Sequence, residues 1–261
     1  MSLDQPGTFT PMPGAAPLPQ QVAAQVRMET RLLLRNGEQL LLAVVIPLLV
    51  LVGGVLAADS VGLEFAQSPV DTLTPGVLAL AILSTSFASL AITTGFERRY
   101  GVLKRLGASP LPRGGLLAGK LGSLLVVELL QVLVIGTAGL LLGWSPVVSV
   151  ASILGVLCFA VVGTAAFASL GLLLAGTVRA ETTLAAANLV YLLLLAGGAV
   201  VFPLSTYGDF GSVLAWLPSA ALGDGMRSAL MEGSLAVVPL LVLVGWTAIG
   251  TVATSRTFRW E

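Results

Sequence analysis

Histidine is absent from this 261-residue chain, and cysteine occurs once, as Cys158. Without imidazole, His-based catalytic triads, His-ligated haem, His-containing zinc sites and His proton shuttles are excluded within these residues. A lone thiol excludes internal disulfides and Cys-rich metal or iron–sulfur centres. No catalytic residue and no metal ligand is therefore assigned. Charge is scarce too. Only 10% of residues are Asp, Glu, Lys or Arg, where a soluble globular domain carries about 25%. Basic and acidic residues number 13 each. Bulk charge argues neither for nor against nucleic acid, and no nucleic-acid partner is expected.

What fills the chain instead is apolar: 56% of residues are hydrophobic and mean hydropathy is +0.97. An ordinary soluble enzyme is ruled out on that ground. A helix needs about 20 mostly apolar residues to cross a bilayer. Six stretches qualify, at 40–57, 75–95, 119–142, 150–177, 184–202 and 235–254. They are Gly-rich, as membrane helices often are, and they lack the short alternation of a membrane β-barrel. The expected fold is an all-α integral membrane protein with six transmembrane helices. Residues 1–19 hold five prolines and no basic residue, and are expected to form a disordered cytoplasmic tail. Residues 20–39 are expected as an amphipathic connecting helix, and 40–261 as the six-span domain.

Orientation follows from the positive-inside rule. With the N-terminus in the cytoplasm, 12 of the 13 basic residues fall inside and only Arg227 outside. Asp59, Glu64, Asp71, Asp209, Asp224 and Glu232 fall outside. Both termini are expected in the cytoplasm.

Three segments do not span. In the first, Arg27, Arg31 and Arg35 form one helical stripe, with Val22, Val26, Leu33 and Leu40 opposite. This predicts an interfacial helix on the cytoplasmic leaflet, either a lipid anchor or a connection that also touches a cytoplasmic partner. Glu29 falls on the apolar side and so calls for a specific polar partner. The second, Phe96–Lys120, is the most charged stretch. Either it is a solvated topology signal, or Val102, Leu103 and Leu106 interleaved with Lys104 and Arg105 form a short docking helix. The third, Pro203–Ser234, is too apolar for a free loop and too interrupted to span. It predicts an outer re-entrant helical hairpin with Trp216 at headgroup level.

The run GVLKRLGASPLPRGGLLAGK after a second span resembles the cytoplasmic signature of ATP-binding-cassette exporter permeases, in the branch of daunorubicin-type drug, lipid and polysaccharide exporters. That family's pattern is a charged cluster, Gly-x-Leu-x-x-Leu, a proline and a basic residue. Glu97, Gly101, Leu103, Leu106, Pro110 and Arg113 match it in order; Tyr100 departs where a second acid is often found. The resemblance implies a cytoplasmic coupling helix between spans two and three. Its set comprises Glu97, Arg98, Arg99, Gly101, Leu103, Lys104, Arg105, Leu106, Pro110 and Arg113. Lys104 and Arg105 would meet acidic groups of a separate ATPase subunit, and Leu103 and Leu106 would fill its groove. Glu97 would tie this element to an arginine of the N-terminal helix, such as Arg31. The resemblance further implies a second permease subunit and spans two and five facing across the dimer axis. Richness in Ala, Gly, Leu and Val suggests a bacterial inner membrane, with lipids as neighbours.

Gly114-x-x-x-x-Gly119-Lys120 is similar to the start of a phosphate-binding loop, but Leu121 stands where Ser or Thr must hold Mg²⁺. The chain is therefore expected to bind no cofactor and not to be an enzyme, with ATP and Mg²⁺ on the partner. Within the spans, Ser86, Ser89, Thr93, Glu128, Asn188 and Tyr191 are candidate path residues. The competing reading gives each Ser and Thr a bond to its own backbone, and Glu128 a structural bond to Gln131, a carbonyl or a neighbouring helix. The expected function is an ATP-driven exporter of an amphipathic or lipid-like solute. A secondary transporter or channel, or a non-transporting assembly protein, is the alternative.

Overall fold

A computed structural model describes residues 14, 16–61 and 67–258, the side chains of 38–42 and 59–61 excepted. Most of the expected tail, Glu64, Arg259 and the side chains of Leu40 and Asp59 lie outside the described residues. Every regular element described is helical. Helix α1, Leu18–Arg35, starts with Pro19 in its first turn, where a missing N–H is harmless. Asn36 breaks it, and α2, Gly37–Val61, follows. Then come α3, Pro69–Arg99; α4, Val102–Leu106; α5, Arg113–Leu141; α6, Val150–Thr177; and α7, Ala180–Gly197. A 3₁₀ segment, Leu204–Phe210, leads into α8, Gly211–Leu214, then α9, Pro218–Arg227, and finally α10, Val237–Thr257.

Five helices (α3, α5, α6, α7 and α10) are long and apolar enough to cross a membrane. In α2 the described apolar stretch, Ala43–Ala58, is shorter. The helices are not equivalent. The apolar window of α3 is 78% buried inside the chain, whereas that of α10 is 11% buried. Helix α3 is thus the central rod, and the others wrap it. Leu73, Val77, Leu80, Ile82 and Leu83 on α3 meet Leu51, Ile135, Phe159 and Phe167 from α2, α5 and α6 in one core. The outer faces stay apolar: Leu141, Val148, Leu129, Leu193 and Val238 are each more than half exposed. Such extended apolar surface is untenable in water and fits a lipid environment. The chain is a multi-pass membrane protein.

Two local departures from regular α-helix follow from the sequence. Within α3, Ser84–Ser89 forms a π turn, the kind of insertion that recurs at functional positions. Helix α7 stops at Gly197 rather than running on to Phe202, as hydropathy alone suggests. The reason is Arg227. Its guanidinium donates to the carbonyls of Val200 and Val201 at 3.2 Å each and of Ala199 at 3.3 Å. It also pairs with Asp224 Oδ1 at 2.9 Å. Ala199 is held at φ +50, in the left-handed region. The carbonyls that continued helix would bond to itself are turned onto a cation instead. Burial pulls Arg227 below the ordinary arginine value, and Asp224 pulls it back.

The segment expected as one outer hairpin divides in two. Helix α9 is buried from Pro218 to Leu222 and packs on α3, α6 and α10. The preceding part exposes Phe210, Val213 and Trp216. Trp246 Nε1 of α10 donates to the Trp216 carbonyl at 2.8 Å and fixes that part in place.

Replacing Arg227 by Ala strands three carbonyls, each orphaned buried group being worth roughly 1–3 kcal/mol. The variant is expected to unfold at clearly lower temperature in detergent and to expose the 198–217 segment to protease. Arg227→Lys is expected to recover only part, since an ammonium cannot match the planar fork. Unchanged unfolding of Arg227→Ala would refute this role.

Candidate functional site

Helix α1, the C-terminal end of α3 and the N-terminal part of α5 converge on one buried ion cluster. Lys120, in the second turn of α5, points its Nζ at Glu29 Oε1 of α1 at 3.0 Å and at Glu97 Oε1 of α3 at 2.8 Å. The Gln25 side-chain amide donates to the same Glu29 oxygen at 2.9 Å. The side chains of Lys120 and Glu29 are each 7% exposed and that of Glu97 14%. Close approach makes this possible. A β-carbon at Gly119 would lie 2.3 Å from Gln25 Cγ, so any larger residue would push α1 off α5. Glu29 therefore finds its polar partner on the face that packs. The tie expected from Glu97 to an arginine such as Arg31 is corrected. Lys120 fills that place, and Arg27, Arg31 and Arg35 stay exposed on the far stripe.

Lys120 thus does more than mark the inner end of a span. The Gly114–Lys120 run lies wholly within α5, so its backbone N–H groups serve the helix rather than a phosphate cradle.

Past Glu97 the chain turns sharply. Gly101 adopts φ +67, a left-handed conformation that admits glycine freely, and α4 begins at the next residue. The residues expected to contact a partner separate into two groups. Arg98 Nη2 donates to the Val178 carbonyl at 2.5 Å and caps the C-terminus of α6. Arg99 pairs with Glu181 of α7. Leu103 is 4% exposed. It is buried within the chain rather than open to a partner groove. Gly101 and Leu106 are half-buried, whereas Lys104, Arg105, Pro110 and Arg113 are exposed.

Beside the cluster lies a cavity of about 770 Å³ between the end of α1, α2, α3 and α7. Ser89, Thr93, Asn188 and Tyr191 line it, together with Glu29 and Glu97. Ser86 does not. Its hydroxyl turns back to the Ile82 carbonyl, the local backbone bond, at 2.5 Å. The π turn re-registers this face, and Ser84 reaches the cavity wall where a regular α-helix would aim Ser86. Glu128 also lies away from the cavity. It is 3% exposed, and Thr164 Oγ1 of α6 donates to its Oε2 at 2.6 Å. Gln131 is engaged elsewhere: it accepts from Thr85 Oγ1 at 3.1 Å and donates to the Ala43 carbonyl at 2.8 Å. That link from α5 to α3 and α2 has no signal in the sequence beyond an amide inside an apolar helix. Among the described residues no His, Cys, Asp and Glu group is arranged to hold a metal.

The described residues form an all-helical, multi-pass membrane domain with a short, cation-bearing helix between α3 and α5. Comparison with known proteins specifies it. Residues 59–256 match the family described as ABC-2 family transporter protein. The chain is also 27% identical over 170 residues to a Bacillus subtilis (strain 168) protein that bears the name transport permease YvfS, covering 64% of this chain and 68% of the other. The chain belongs to the ABC-2 transporter family.

Removing one partner of a buried ion pair costs about 3–5 kcal/mol because the remaining charge is left uncompensated. Lys120→Met is expected to be among the most destabilising single changes. Glu29→Gln with Glu97→Gln on that background is expected to restore most of the loss in thermal unfolding. No restoration would show that the three side chains do not act as one unit. At Glu128, exchange for Gln keeps an acceptor for Thr164. The expected change is within about 1 kcal/mol, the net worth of one hydrogen bond, while Glu128→Leu leaves Thr164 without its acceptor and is expected to exceed it.

Proposed function

We propose that this chain is the membrane subunit of an ATP-driven exporter. Two such subunits dimerise, each with six spans and both termini in the cytoplasm of a bacterial inner membrane. Separate cytoplasmic ATP-binding-cassette subunits bind ATP and Mg²⁺ and hydrolyse the nucleotide. The element 203–234 re-enters the membrane from outside, and the solute is amphipathic or lipid-like.

The observation that carries this reading is the Glu29–Lys120–Glu97 cluster. Glu97 sits in the last turn of α3, one short turn before α4. A push on α4 reaches α3 through the chain, and α1 and α5 through Lys120. At Gly119 the side chain of Gln25 on α1 packs directly against α5, so there is little slack to absorb the movement. Exposed Lys104 and Arg105 suit an acidic patch on an ATPase, where charge complementarity sets partner choice and on-rate. ATP would favour the outward-facing state only as far as the closed ATPase pair binds it more tightly than the open pair.

Asn188 supports dimerisation. It is exposed on α7 beside exposed Leu184, Leu189 and Leu192. An amide left exposed at the cavity wall among apolar neighbours is unfavourable unless something covers it. A second subunit across α7 and α3 would do so, leaving the cavity as part of the export path.

Gentle purification from the native membrane is expected to bring down a stoichiometric ATP-binding-cassette ATPase. The double exchange Lys104→Glu, Arg105→Glu is expected to lower that recovery at least tenfold while membrane insertion and unfolding temperature stay as in the wild type. Since Leu103 is buried, its exchange would confound docking with folding and is not the variant to use. Reproducible absence of an ATPase from an otherwise intact wild-type preparation would overturn the proposal.

A further inference from the structure

The charges around the cavity do not balance. Its wall carries two carboxylates, Glu29 and Glu97, and no lysine or arginine among the described residues. Lys120 lies behind that wall and serves both acids. With both carboxylates ionised, these three groups carry a net charge of −1. The neighbouring cations are committed or turned away. Arg98 reaches the Val178 carbonyl, Arg99 pairs with Glu181, and Arg31 and Arg35 line the exposed stripe of α1. Glu97 Oε2 is buried without a hydrogen-bond partner among the described residues.

The rest of the wall suits an apolar body. Phe96 and Tyr191 contribute aromatic rings, the ring of Tyr100 already being covered by the Arg99 guanidinium, and Ile46, Ile92 and Leu184 contribute aliphatic surface. Aromatic faces attract cations, more strongly once water is excluded. A buried, uncompensated negative charge is unfavourable by itself. A cation entering the cavity removes that penalty, a neutral solute leaves it, and an anion adds to it. We infer that this cavity receives lipophilic cations, so that the exported solute joins positive charge to an apolar body. The inference rests on reading the cavity as part of the export path.

Tetraphenylphosphonium and tetraphenylborate isolate the effect, being nearly identical in shape and opposite in charge. Binding is measured to the full chain in phosphatidylcholine nanodiscs, against empty nanodiscs. Tetraphenylphosphonium is expected to saturate one site per chain, at least tenfold tighter than tetraphenylborate. Glu97→Gln is expected to weaken it at least tenfold. Glu97 also holds Lys120, so Asn188→Lys carries the test independently. It leaves the cluster intact, places a cation in the wall, and is expected to abolish phosphonium binding and admit the borate. Equal or tighter borate binding to the wild type, no saturable phosphonium site, or phosphonium binding unmoved by Asn188→Lys would each overturn the inference. The readout needs no ATPase. Its failure leaves the co-purification result standing, and the reverse holds too.

Discussion

One ammonium group shared between two carboxylates governs the end of this molecule where α1, α3 and α5 meet. Taking three charged groups out of water is unfavourable, and attraction repays it only when geometry is tight and the remaining valences are filled. Here Lys120 has both acids within 3.0 Å, and Gln25 adds a donor to Glu29. None of the three could be buried alone. The cluster therefore demands that α1, α3 and α5 meet at one place, although Glu29, Glu97 and Lys120 lie far apart in sequence. Hydrophobic packing is non-directional and would let these helices slide or rotate. The cluster fixes their register, and the absence of a side chain at Gly119 lets them come close enough to form it.

The opposite end solves a related problem with different means. Arg227 also serves more acceptors than one pairing requires, but three of them are carbonyls freed where α7 stops. Of its partners Asp224 is local, whereas the Ala199–Val201 carbonyls lie 26–28 residues earlier, so this fixture ties the stop of α7 to α9. The inner cluster ties distant helices. Helix α3 passes between the two ends, buried along most of its length, with a π turn midway. A rod held at its inner end by a salt bridge, and irregular at its centre, can change register there without breaking its lipid-facing neighbours. That places Ser84, Ser89 and the cavity at the irregular turn of the most enclosed helix.

Hydropathy made the helices legible, because a span must be long, apolar and self-satisfied in its backbone. It could not end α7. Residues 198–202 are as apolar as the helix before them, and what stops it is an arginine about 25 positions later. The family was legible from the charged run after the second span, and residues 59–256 match it. Glu29 was legible as an anomaly, a carboxylate on the face meant to pack, but its partner was not. A helical wheel gives direction around one axis and says nothing about which helix lies opposite. Lys120 read as the end of a span for the same reason. Ser86 aligned with Ser89 and Thr93 on an ideal wheel, and the π turn broke that alignment. Glu128 was readable as needing a partner, while Thr164, on another helix, was not readable as that partner.

The charged run between α3 and α5 could have been no more than a topology signal. Positive-inside bias requires only that basic residues remain on one side, and solvated arginines would satisfy it. These are not simply solvated. Arg98 caps α6, Arg99 pairs with Glu181, Glu97 holds Lys120, and Leu103 is sunk into the membrane body. Exposed pairs such as Arg99–Glu181 add little stability by themselves. Together with the buried contacts, they fasten the end of α3, from which α4 continues, to α5, α6 and α7 at once. A mere loop gains nothing from so many attachments. A lever does, because force applied at its tip is delivered to every helix it is fastened to. With one face of 97–113 spent on attachment, Lys104 and Arg105 are left on the other.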